Sequence, residues 1–385
     1  MTSSPLFSTA ILPLLLASCL MIASQSTMAF QVGHQQQYLN IHSSSSMVPP
    51  LCMAKGFGAA GGGGFGVESG STKSGKKVKK SDIKKTQQKI LKKYGGDIAQ
   101  GTQRRIEKAM SELPPHLQLA TQLYQQLQKW NARLLNMSVL QQANLPDQEV
   151  ESARRAQEEL ERLYQEHNFS EHDLHNIFQQ VTWDASADAK AARAITGDMP
   201  QDIAARVDKA CEIAAEAVKA AGSEGRCLDI GCGFGVLVPH LLDCGLAPAQ
   251  IYGIDLSPEM IKNAREQHRG VNFEAVDFMN DYQCEEGFHS VIFCSALHDL
   301  SDMIGALKKA AKLVKPNGRL VIAHPQGASH VLKQSAANPV LVKRGLPTAE
   351  EFKSMELDGL KLEIEPAAAN SPEESQAGYL AVLSR

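Results

Sequence analysis

Two hydrophobic periods divide the chain. From Thr102 to Ala221 apolar residues recur at steps of three and four, the spacing of one face of a helix. One stripe runs Leu117, Ala120, Leu123, Leu127, Trp130, Leu134, Met137, opened by Pro114 and Pro115. A second, opened by Pro146, carries Val150, Ala153, Ala156, Leu160 and Leu163. Ser170, three residues before Asp173, reads as a capping start for a third helix bearing Leu174, Ile177, Phe178 and Val181. A fourth begins at Pro200 with Ile203, Val207, Ala210, Ile213 and Ala214. No stripe sustains a long heptad repeat, so these helices are expected to pack on one another and on the domain downstream of them. His167, His172 and His175 lie on charged helices and read as solvated surface; this region shows no chemistry of its own.

At residue 226 the pattern changes to short apolar runs separated by amphipathic stretches. The runs Arg226–Ile230, Ile251–Asp255, Val271–Val276, Ser290–Ser295 and Arg319–His324 read as strands. Val236–Cys244, Pro258–His268 and Asp302–Val314 read as the helices between them. Such alternation predicts an α/β fold, a mainly parallel sheet covered by helices. Two further strands, Leu360–Ile364 and Gly378–Leu383, follow a helix that starts at the capping box Thr348–Glu351. Between fifth strand and that helix, Pro325–Leu346 reads as a long loop, of the length that usually binds something or is disordered.

Ligands of such sheets bind beyond the carboxyl ends of the strands, and the polar and glycine-rich clusters fall there. The first is Cys227-Leu-Asp-Ile-Gly-Cys-Gly-Phe-Gly235. Asp229 belongs to the strand, and Gly231, Gly233 and Gly235 make the turn into a helix, where a backbone without Cβ atoms lets a ligand approach. Asp255 ends the second strand, placed to hold two ribose hydroxyls.

These residues resemble the class I S-adenosylmethionine-dependent methyltransferases of the small-molecule, type 11-like kind, closely over 226–323 and loosely over 347–384. The resemblance implies a Rossmann-like seven-stranded sheet whose last strand inserts antiparallel. It implies S-adenosyl-L-methionine as cofactor, held by Asp229, Gly231, Cys232, Gly233 and Gly235 at its methionine part. Asp255 and Leu256 would meet its ribose and adenine, and Asp277 and Phe278 the adenine amine and ring. Ser295-Ala-Leu-His298 resembles the segment that floors the sulfonium, and Leu313-Val-Lys-Pro-Asn-Gly318 the turn before the fifth strand. The implied reaction is methyl transfer to an acceptor, with a small plastid metabolite as leading class. His298 and His324, each just beyond a strand, are the candidate bases because imidazole titrates near neutrality; His330 and Asp299 stand behind them. The fourth strand lacks the Asn-Pro-Pro-Tyr ending of methyltransferases of exocyclic amines. Three alternatives stay open: a protein or RNA methyltransferase, a non-catalytic cofactor binder with a helical partner module, and a nicotinamide oxidoreductase.

Charge sharpens the division of the chain. Residues 1–54 contain no Asp, Glu, Lys or Arg; residues 55–93 hold eleven lysines against Glu68 and Asp82; the remainder carries a net −12. An acidic body does not favour nucleic acid. The eight cysteines show no C-x-x-C pair and no zinc spacing, so no metal is expected and the thiols read as reduced. The run Ala10–Ala23 is too short to span a bilayer and fits a signal peptide's apolar region. The acid-free, Ser- and Gln-rich stretch after Phe30 has transit-peptide composition. Together they resemble the bipartite presequence of algal secondary plastids, which implies plastid localisation. The expected organisation is a presequence at 1–54, a Gly/Lys-rich disordered linker at 55–101, an α-helical region at 102–199, and the methyltransferase domain at 200–385. A protein partner is left open through the helical region.

Overall fold

The computed structural model describes residues 80–128, 147–196 and 199–385. The presequence reading, the linker reading as far as residue 79, and Trp130, Leu134 and Met137 of the first stripe lie outside them. The amino-terminal half is helical: α1 (Lys80–Lys93), α2 (Ile98–Ser111), α3 (Pro115–Gln128), α4 (Asp147–His167), α5 (Glu171–Thr196) and α6 (Gln201–Ala220). The expected disordered linker is overturned over 80–101, which forms α1 and the start of α2. Tyr94, between them, is buried, and its hydroxyl donates to the Ala185 carbonyl at 2.8 Å. A buried aromatic anchor of this kind orders a basic segment whose composition alone suggests disorder.

The stripes behave as their period requires. Ala153, Ala156, Leu160 and Leu163 of α4 are buried, as are Val207, Ala210, Ile213 and Ala214 of α6. At the start of α5, Ser170 donates from its backbone N–H (2.8 Å) and hydroxyl (2.6 Å) to Asp173, whose own N–H returns to the Ser170 hydroxyl at 3.2 Å.

The carboxy-terminal half is the expected sheet. In chain order it consists of β1 (Cys227–Ile230), α7 (Val238–Asp243), β2 (Ile251–Asp255), α8 (Pro258–Gln267), β3 (Asn272–Ala275), β4 (Phe288–Cys294), α9 (Met303–Leu313) and β5 (Val314–His324). Then come α10 (Ala328–Ala337), α11 (Ala349–Ser354), β6 (Lys361–Ile364), α12 (Pro372–Ala377) and β7 (Tyr379–Ser384). The seven strands lie in the order β3-β2-β1-β4-β5-β7-β6, parallel from β3 to β5, with β7 antiparallel between β5 and β6. This is a Rossmann-like α/β sheet.

Alternate residues of the central strands feed two cores. Leu228, Ile230, Val291, Phe293, Leu320 and Ile322 pack toward α9, α10 and the Leu174 and Phe178 side of α5. Cys227, Ile292, Val321 and Ala323 pack toward α6, α7 and α8. Both faces are covered, which is why the strands read as continuous apolar runs.

The expected loop Pro325–Leu346 is not a loop: it contains α10, on which Ala328, Val331 and Ser335 are buried. Buried Glu374 fixes its start by accepting from the Ser329 N–H at 2.6 Å and the Asn370 N–H at 2.5 Å. That acceptor lies 45 residues downstream, beyond the reach of a local pattern.

Candidate active site

The carboxyl ends of β1 to β5 open into a cavity of about 770 Å³. The turn after β1 runs through its floor. Gly231 and Gly233 have φ of +73° and +54°, values that favour glycine. A Cβ on Gly231 would come within 2.4 Å of the Ala296 side chain, whereas a Cβ on Gly233 would meet nothing within 4 Å. The first glycine therefore serves close packing between β1 and β4, and the second leaves ligand space. Gly231 and Cys232 both donate their N–H to the Ile254 carbonyl, which locks the turn to β2.

Asp255 braces that turn. Its Oδ2 accepts from the Gly233 N–H at 2.8 Å and its Oδ1 from the Ser257 N–H at 2.9 Å. Each oxygen keeps lone-pair capacity for a further donor. Burial pushes this carboxyl up to about 6, with the charges of Asp299 and Asp184 adding to the rise and the two backbone bonds opposing it. Asp229 is 4% exposed, and its carboxyl is pushed up to about 8 by burial first and by Asp255 second. It has no hydrogen-bond partner among the described residues. A buried carboxyl and a half-buried one, both with free acceptor capacity, make a site for a ligand that brings positive charge and hydroxyl donors.

Leu256, Asp277, Phe278 and Ser295 line the same cavity, as do Asp229, Gly231, Cys232, Gly233 and Asp255. Gly235 sits behind it, where a Cβ would press on His268 at 2.6 Å. Ser295 holds φ +56°, a strained backbone for a serine, fixed by its N–H bond to the Ala323 carbonyl at 2.9 Å.

The two candidate bases are placed elsewhere. His298 (5% exposed) and His324 (2% exposed) do not line the main cavity, and the Nδ1 of each is buried without a partner. His298 faces a separate cavity of about 180 Å³ beside Lys343 and Arg344. The ring that reaches the main cavity is His330, on α10. The three form a file, with ring centroids 5.0 Å apart for His298 and His324 and 5.6 Å for His324 and His330. Burial, then His298 and Lys333, lowers His330 to about 4, and burial holds His324 well below its ordinary value. Both are neutral at physiological pH. By sequence His330 stands behind His298 and His324, each of which follows a strand directly.

The helical region contributes directly, contrary to the reading of its histidines as surface. Helix α5 crosses the open edge of the sheet and ties three of its loops together. Asn176 donates to Asp277 Oδ2 at 2.8 Å, and His172 Nε2 lies 2.9 Å from the same oxygen. His175 is fully buried, with its Nε2 2.9 Å from the Asp299 carbonyl and its Nδ1 3.1 Å from that of Val340. Asp184 accepts from the Ser257 hydroxyl and from the Glu259 N–H, at the start of α8. Of the three histidines only His167 is exposed, its ring stacked on His116 at 4.0 Å. From α6, Arg206 donates to the carbonyls of Pro325 (2.6 Å) and Ser375 (2.8 Å), fixing the entry to α10.

A family of methyltransferase domains matches residues 228–320, the stretch from β1 into β5. Over 109 residues the chain is 32% identical to an uncharacterized methyltransferase of Schizosaccharomyces pombe, a match covering 25% of this chain and 37% of that protein. Over 147 residues it is 29% identical to the ubiquinone biosynthesis O-methyltransferase of Xanthomonas oryzae, covering 37% and 54%. The chain thus spans about half or less of the length of these curated relatives. Among solved structures, the magnesium protoporphyrin IX methyltransferase of Synechocystis, with bound S-adenosylmethionine, is 17% identical over 54% of this chain and 95% of that one, with a TM-score of 0.36.

Proposed function

We propose that this protein is an S-adenosylmethionine-dependent methyltransferase acting on a small-molecule acceptor. The observation that carries the reading is buried Asp229 and half-buried Asp255 beside an open Gly233. A methionine ammonium supplies a positive partner for Asp229, and a ribose diol supplies donors for the spare acceptor capacity of Asp255. The family match over 228–320 and the names of both relatives point the same way.

When bound, the cofactor brings an activated methyl group on its sulfonium. The chain's own part is to bind, orient and exclude water, and alignment alone is worth about 7–11 kcal/mol of barrier. The Gly231–Gly235 turn and Asp229 take the methionine end, Asp255 the ribose, and Leu256, Asp277 and Phe278 the adenine. Ser295, Pro325, Gln326 and His330 border the remaining space, toward which the acceptor must come. His330, neutral at physiological pH, is in the state that can accept the acceptor's proton.

Calorimetry with S-adenosylhomocysteine tests the reading. Binding is expected to the wild-type chain and to weaken at least about tenfold in Asp255→Ala, since bonds to a charged group are worth about 1.5–3 kcal/mol each. A melting temperature raised by nicotinamide dinucleotides and unmoved by S-adenosylhomocysteine would overturn it.

We propose a plastid address on the charge-free segment 1–54. Mass spectrometry of the native protein is expected to find its amino terminus at or beyond Phe30; an intact Met1 would refute this.

A further inference from the structure

The cavity has two unlike ends. One holds the loops after β1, β2 and β3, with Gly233, Asp255 and Asp277. The other lies under α2, α5 and the start of α6, walled by Ile98, Ile106, Trp183, Met199, Ile203 and Val207. At about 770 Å³ the whole is near the upper end of small-molecule pockets, which run to about 1,000 Å³.

The polar side chains of this second end are already engaged. The Thr102 hydroxyl donates to the Ile98 carbonyl at 2.8 Å, and the Ser186 hydroxyl to that of Thr182 at 3.0 Å. The Gln179 amide nitrogen serves the carbonyls of Asp299 and Leu341, both at 3.1 Å, while its oxygen accepts from the Trp183 indole N–H at 2.9 Å. The charged residues at this end are engaged too: Arg206 pairs with Asp202 at 3.5 Å and serves the carbonyls of Pro325 and Ser375, and Lys190 Nζ lies 4.0 Å from the centroid of the Trp183 ring. The rest of the lining is hydrocarbon and the indole. The hydroxyl of Thr182 is the exception: it has no hydrogen-bond partner among the described residues, and its residue lines the cavity. A sugar, nucleoside or peptide pushed into this end would leave several of its own polar groups unpaired, a loss of about 1–3 kcal/mol each. A flat apolar molecule loses nothing of the kind and gains the indole as a stacking surface.

We infer that the end of the cavity beneath α2 and α5 is the acceptor chamber, and that it takes a flat, largely hydrocarbon ring compound bearing few polar substituents, one of them the methyl acceptor. Trp183 is its stacking partner, and Ile98, Ile106, Met199 and Ile203 form its walls. The Thr182 hydroxyl meets a substituent at the inner end, while the acceptor atom lies at the passage to the cofactor end, bordered by Ser295, Gln326 and His330. The helical half of the chain is thus a specificity element of the same active site. This inference rests on the methyltransferase reading for the identity of the other end.

Trp130 and Trp183 are the chain's two tryptophans, so Trp130→Phe in the full chain leaves Trp183 as sole reporter. We would titrate 1-naphthol as probe, with and without saturating S-adenosylhomocysteine, and follow indole emission. A saturable change is expected under both conditions, at least about tenfold weaker in Ile203→Asn and in Met199→Asn. Both positions are half-buried, so the fold should survive. S-adenosylhomocysteine affinity unchanged within about twofold would confirm that and separate the two ends. Naphthol affinity unmoved by both variants, or matched by glucosamine or adenosine under saturating S-adenosylhomocysteine, would overturn the inference. Should S-adenosylhomocysteine fail to bind while naphthol binding remains sensitive to Ile203, the methyltransferase reading falls and the chamber stands.

Discussion

The imidazole of His172 on α5 meets the carboxylate of Asp277 at the end of β3, Nε2 to Oδ2 at 2.9 Å, across 105 residues of chain. The bond raises His172 above its ordinary 6.5. At Asp277 burial works upward, but His172 and the Met279 N–H outweigh it and hold the carboxyl below its ordinary 3.8. The histidine's contribution is thus full below about pH 6.5 and lost as pH rises through its raised value. The carboxylate's is full above about pH 3.8 and lost as pH falls through its lowered one. Docking of α5 over the end of β3 should therefore loosen on the alkaline side of neutrality. Protection of the Glu171–Thr196 amides, after correction for the intrinsic base-catalysed rise in exchange, is expected to fall as pH rises above about 6.5, and His172→Ala should flatten that loss of protection.

Asp229 and Asp255 work in the opposite sense. Their folded values are raised to about 8 and about 6, so what they contribute is full below about pH 3.8 and is lost as pH rises through those values. The ligand-free protein is accordingly strained near pH 8. Asp229→Asn should raise its melting temperature by about 3 °C or more, the shift that about 1 kcal/mol produces in a domain of this size. The same change should weaken S-adenosylhomocysteine binding at least about tenfold by calorimetry. A variant that gains no stability would place the charge cost elsewhere.

Gly231→Ala should destabilise without any ligand being involved. The φ of +73° and the 2.4 Å approach to Ala296 leave no room for a Cβ. The expected loss is about 1–3 kcal/mol, read from denaturant unfolding. Gly233→Ala, open on that side, should cost less stability and more cofactor affinity.

The histidine file separates by position. His330→Gln is expected to lower methyl transfer by about 10²-fold with cofactor affinity kept. The turnover–pH profile should show no histidine titration near 6.5, because His330 is lowered to about 4. His324→Leu removes a buried imidazole whose Nδ1 has no partner. It should leave the melting temperature unchanged or higher and turnover within about threefold. Loss of turnover in His324→Leu alone would return the base to the end of β5.

The strands and the glycine turn were legible in the sequence because their causes are local. A period of two or an apolar run needs only neighbouring residues, and so do the positive φ of Gly231 and Gly233 and the capping at Ser170 and Thr348. Asp255 was legible for the same reason, since it ends a recognisable strand a fixed distance from that turn. Helix α10 was not legible, because its start depends on Glu374 far downstream. Tyr94 was not, because its hydroxyl answers to Ala185, and the lysines around it masked the burial.

Sequence by itself thus determined the order of the strands, the α/β class and most of the residues that line the glycine-turn end of the cavity. Tertiary structure decided which histidine reaches the cavity, that α5 straps the loops after β2, β3 and β4, and that the helical half supplies the apolar end of the pocket. Ring orientation and burial depend on what packs against a side chain from distant segments, and a one-dimensional pattern carries the period of a helix but not the neighbour its face will meet.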